Sequence, residues 1–66
     1  MESKFRSALM VSADTPESLR ASDVYRVLYE AEEMDVFHEF KTWLLSQNLQ
    51  SRTREVLNET HNTDNR

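Results

Sequence analysis

Residues 24–45 read VYRVLYEAEEMDVFHEFKTWLL, and the periodicity of this stretch decides the fold. Val24, Val27, Leu28, Ala31 and Met34 recur at the spacing of one helix face, and Val36, Phe37, Phe40, Trp43 and Leu44 form a second stripe of the same period. One straight helix cannot bury both. At about 100° per residue with Val24 at the origin, Leu28 falls at about 40° and Ala31 at about 340°, but Phe40 lands at about 160° and Leu44 at about 200°. The two stripes would then face opposite sides. A break between Met34 and Phe37 removes the conflict, with Asp35 expected to cap the second helix. The stretch predicts an all-α helical hairpin.

Upstream, Thr15-Pro16-Glu17 is a helix start signal. Threonine caps free amides, proline suits the first helical position, and an acid suits the positive helix end. Ser22-Asp23 offers a second cap, so the first helix begins near Pro16 or near Asp23, either as one helix or as a short turn feeding a longer one. Residues 1–14 read as a weakly ordered lead-in, because Phe5, Ala8 and Leu9 have helical spacing over too few residues to hold a helix alone in water. They either dock on the core or stay mobile. Downstream, Asn48 is a plausible stop. Beyond it Leu49, Thr53, Val56 and Leu57 line a short third helix, or Leu45, Leu49 and Val56 continue the second. The hairpin domain is placed at 15–60, and the polar, aperiodic 61–66 is expected to be a disordered tail.

Composition agrees with this class. The 66 residues contain no glycine, no cysteine and a single proline. Tight hairpin turns between strands usually need Asn-Gly or Asp-Gly, and the helix formers Leu, Glu, Ala, Met, Arg and Gln fill the chain instead. A domain of this size buries only about 60% of the surface its unfolded chain exposes. Without disulfides or a thiolate zinc site it must rely on helix packing, self-association or a partner. The apolar runs are too short for a membrane span or a signal peptide, so a cytoplasmic location and no membrane association are expected.

The formal net charge of −4 is unevenly placed: residues 22–39 carry Asp23, Glu30, Glu32, Glu33, Asp35 and Glu39 against Arg26 alone. One reading is a solvated face that keeps a small protein dispersed. Another is an electrostatic patch for a basic partner. Direct nucleic-acid binding is disfavoured, since it needs clustered Lys and Arg, and Arg52 with Arg54 is the one close basic pair of the helical part.

Asp35 and His38 share a spacing compatible with a metal or an acid–base pair. No third ligand, nucleophile or phosphate loop accompanies them, so neither a cofactor nor catalysis is expected, and His38 reads as a surface histidine. Tyr25 and Tyr29 lie four apart and about 100° or more from the centre of the first stripe, placing them off the hairpin core together with Leu45. They are either isolated exposed aromatics or a second contact surface.

A two-helix hairpin leaves its apolar seam open. Two copies can close it as a four-helix bundle, or the hairpin can pack on another protein. The central stretch resembles two groups of small regulators from spore-forming bacteria. Glu30-Ala31-Glu32-Glu33, Asp35-Val36, Glu39 and Phe40-Lys41 before Trp43-Leu44-Leu45 are similar to the Sin-type anti-repressors, with a one-residue gap after Glu39 and Phe37-His38 where that family starts a helix with Ser/Thr-Pro. Ala31, Glu33-Met34, Asp35-Val36 and Glu39-Phe40 resemble, without a gap, the Sda-type hairpin that inhibits a sensor kinase. Either likeness covers roughly a third of the chain and implies a helical hairpin that binds a repressor or a kinase.

The expectation is therefore a non-catalytic regulator that binds and inhibits or modulates a larger protein. Val24, Leu28, Ala31, Met34, Phe37, Phe40, Trp43 and Leu44 would form the hairpin core and its apolar contact, and Glu30, Glu33 and Glu39 would steer it to a basic rim. The alternative is a homodimeric structural or adaptor protein, with a small nucleic-acid binder ranked below both.

Overall fold

The computed structural model describes the backbone of residues 2–64 and the side chains of residues 3–60. Its regular structure is all helical, with no strand among the described residues. Four α-helices follow in order: α1 (Glu2–Leu9), α2 (Val24–Glu33), α3 (Phe37–Leu45) and α4 (Ser51–Asp64). Two single 3₁₀ turns, Pro16–Ser18 and Ala21–Asp23, lead into α2. The count exceeds the two main helices that periodicity predicts.

The Thr15-Pro16 signal opens one 3₁₀ turn and not the long helix. Thr15 Oγ1 accepts from the Ser18 amide at 3.3 Å, and Ser18 Oγ accepts from the Thr15 amide at the same distance. This reciprocal box closes the turn, after which Leu19 runs extended and fully buried. Of the alternatives open in the sequence, the structure takes the short turn feeding a longer helix.

α2 ends in a Schellman motif. The Val36 amide donates to the Ala31 carbonyl at 2.9 Å and the Asp35 amide to Glu32 at 3.0 Å, with Asp35 at φ 65°. Asp35 therefore terminates α2; the residue that caps α3 is Val36, with no side-chain cap bond. The expectation that Asp35 caps the second helix is corrected. Aspartate suits either role, and in a chain without glycine it takes the left-handed position that glycine usually fills.

α3 stops at Leu45 with Ser46 as its cap, ahead of Asn48. Ser46 Oγ donates to the Trp43 carbonyl at 2.7 Å, and the Arg54 guanidinium donates to the carbonyls of Leu45 at 2.8 Å and Gln47 at 2.7 Å. The bond to Leu45 satisfies a carbonyl that the helix end leaves without an intrahelical partner, and the bond to Gln47 holds the chain just beyond it. The chain then enters a separate helix of 14 residues, so α4 is neither a continuation of α3 nor short. Its bounds reach Asp64, which places part of the expected tail in a helix; residues 65 and 66 lie outside the described residues.

The N-terminal segment docks on the core. Ala8 and Leu9 of α1 are buried, as is Ala13 beyond it. Phe5 of α1 sits 6.1 Å from the Phe40 ring and 5.4 Å from the Trp43 ring. Tertiary contact supplies what eight isolated residues lack. α4 contributes buried Leu57 and Thr53, and Thr53 Oγ1 donates to the Leu19 carbonyl at 2.7 Å. Gln50 Nε2 adds a bond to the Glu17 carbonyl at 3.0 Å. One cluster joins Ala8, Leu9, Leu19, Val24, Val27, Leu28, Ala31, Phe40, Leu44 and Leu57. α1 and α4 thus cover, within one chain, apolar surface that a bare two-helix hairpin would leave open.

Candidate functional site

The residues expected to bind a partner divide by burial. Val24, Ala31, Phe40 and Leu44 are fully buried and Leu28 is nearly so, all within the chain's own core. Met34, Phe37 and Trp43 are half-buried at its edge. Glu33 and Glu39 are exposed and Glu30 is half-buried. The structure brings the apolar members together, but as internal packing. What remains exposed on α2 and α3 keeps Glu33 and Glu39 and adds residues outside the expected set.

Tyr25 is 62% exposed and Tyr29 63% exposed, the largest apolar side chains left in water among the described residues. They stand one turn apart on α2, opposite the buried Val24, Val27, Leu28 and Ala31. Arg26, Glu32 and Glu33 share this outer side and are exposed. Asp35 in the following turn and Glu39 in the first turn of α3 are exposed acids as well. The off-core position of the tyrosines follows the 100° reading; Leu45 instead packs against the core edge.

On α3, His38, Glu39, Thr42 and Trp43 line an open depression. His38 lies edge-on to the Phe37 ring at 5.5 Å, and the positive φ of Asp35 places that residue in the turn before α3. Among the described residues no group of three or more His, Asp or Glu side chains could hold a metal ion. Among the described residues no helix is long and apolar enough to cross a membrane.

Two features escaped the sequence reading. Lys41 is 3% exposed, with Nζ 5.1 Å from the Phe37 ring centroid. The signal was present: Phe37, Phe40, Lys41 and Leu44 follow i, i+3, i+4 and i+7, so the lysine stem occupies a core-facing slot and its cation lies over an aromatic face. Arg54 carried no comparable signal, because its acceptors are backbone carbonyls presented by another element.

Compared with protein-family models, with curated proteins and with solved structures, the chain finds no match in any of the three.

Proposed function

We propose that the chain is a small, non-catalytic regulatory protein that binds a larger protein, and that α2 and α3 act together as the helical hairpin presenting the contact. The observation that carries this reading is the tyrosine pair. Tyr25 and Tyr29 remain mostly in water although the chain encloses a continuous core, and α2 holds both on one rigid face. Exposed tyrosines on a fixed scaffold are efficient binding anchors, since they offer large contact area and lose few rotamers. The exposed carboxylates of Glu33, one turn beyond Tyr29 on α2, and of Glu39 on α3 would speed encounter with a basic surface. The likeness to Sin-type and Sda-type hairpins is a proposal of the same kind: it makes a DNA-binding regulator or a kinase the first targets to try.

The test is capture of a partner from the native cell lysate by the tagged full chain, with Tyr25→Ala/Tyr29→Ala as the control. A stoichiometric partner retained by the wild type and lost by the double variant supports the regulator. Trp43→Ala is a poorer control, because Trp43 packs on Phe5 and Phe40 and its loss disturbs the fold. Recovery of the chain alone, together with a dimer lost in the tyrosine variant, shifts the reading to a homodimeric adaptor.

A further inference from the structure

We infer that the outer face of α2 is built to take an arginine-bearing helical segment of the partner, with guanidinium groups laid over Tyr25 and Tyr29 and held by the carboxylates at the C-terminal end of α2. The inference rests on the regulator reading and specifies the chemistry of the partner.

Three observations lead to it. The first is the tyrosine pair, whose side chains are mostly exposed, a surface on which a planar cation can stack. The second is charge. Glu32 and Glu33 are exposed next to the pair, Asp35 and Glu39 follow, and Arg26 is the one Lys or Arg from residue 22 to residue 39. A second copy of this face would bring like charges together, whereas a cationic segment neutralises them.

The third is that these acids sit at the wrong end of their helix. The last turn of α2 contains no basic residue, and it carries Glu30, Glu32 and Glu33. A helix C-terminus already bears partial negative charge, so carboxylates there destabilise the helix and a nearby cation relieves it. The helix dipole therefore gives no reason for carboxylates at this end. A cation docked at this end satisfies both the helix dipole and the carboxylates. Arginine fits better than lysine, because its planar fork can stack on a ring and hydrogen-bond carboxylates at the same time. From Tyr25 to Glu33 the face runs about 12 Å along the axis, about two turns of a partner helix.

The probe is a short amphipathic helical peptide with arginine at i, i+4 and i+8, compared with its lysine counterpart, titrated into the isotopically labelled full chain and followed by amide chemical shifts. Shifts confined to residues 22–39 are expected, with the arginine peptide binding about fivefold tighter than the lysine one. Tyr25→Ala/Tyr29→Ala should weaken binding about tenfold with the carboxylates intact. Glu32→Gln/Glu33→Gln should weaken binding and at the same time raise the melting midpoint of the free chain. Equal affinity for both peptides, shifts centred elsewhere, or tyrosine variants that bind like the wild type would overturn the inference, and so would a homodimer closed through this face. If the lysate partner depends on the tyrosines but the arginine peptide does not bind, the regulator reading stands and the arginine chemistry falls. If the peptide binds as expected but the full chain retains no partner, the reverse holds.

Discussion

Asp35 shows how one residue joins two helices. Its backbone occupies the left-handed region at φ 65°, which disfavours side chains with a Cβ, although aspartate tolerates it better than most. Asp35→Gly should therefore raise stability by ~0.5–1 kcal/mol, and Asp35→Val should lower it by at least as much, read from urea unfolding midpoints. A gain with valine would mean that the turn does not hold this geometry in solution. Arg54 acts at the other end of α3, where its two bonds to Leu45 and Gln47 carbonyls are charge-assisted and partly buried. Arg54→Met, which keeps much of the stem and loses the fork, should cost ~1.5–3 kcal/mol in the same assay. By contrast the Arg52–Glu55 pair, at 3.6 Å and with both side chains mostly exposed, should change stability little when Glu55 becomes Gln.

At the level of elements, the helices that complete the core are the ones that periodicity read least well. The break between α2 and α3 was legible because two five-residue stripes contradict each other on one straight helix. α1 offers only Phe5, Ala8 and Leu9, and nothing in those residues says that Phe5 will meet Phe40 and Trp43 across the fold. In α4 the deeply buried positions are Thr53 and Leu57; spacing sets Thr53 on the stripe with Leu57, but not the acceptor that holds it, the Leu19 carbonyl. Such pairings are tertiary, which is why local spacing is silent about them. The same blindness bears on the candidate site: Val24, Leu28, Ala31, Phe40 and Leu44, read as hairpin core and apolar contact, are buried in the chain's own core, whereas Tyr25 and Tyr29 lie outward. Phe5→Ala should lower stability by ~1–3 kcal/mol, as expected for a half-buried aromatic in a ring cluster. Thr53→Val should cost ~1–3 kcal/mol by leaving the buried Leu19 carbonyl without its donor. If thermal melts show Thr53→Val to be neutral, the bond does not anchor α4 to the 3₁₀ segment.

For the whole molecule, a chain of this size commands only ~3–10 kcal/mol of net stability, so each of these changes is a sizeable fraction of the total. Because α1 and α4 cover the core within one chain, the thermal midpoint should not move with protein concentration over a hundredfold range; a rising midpoint would show that association contributes to folding. Tyr25→Ala/Tyr29→Ala should leave that midpoint within a few degrees of the wild type, since both side chains lie mostly outside the core. The ring cluster of Phe5, Phe40 and Trp43 also carries an optical consequence. Trp43 is the chain's single tryptophan, and one of its neighbours is supplied by α1 while the other belongs to its own helix. Its emission therefore reports the seating of the first helix directly: a red shift that precedes the loss of helical ellipticity on heating would reveal α1 lifting away while the remaining helices stay packed, and a coincident change would show that all four let go together.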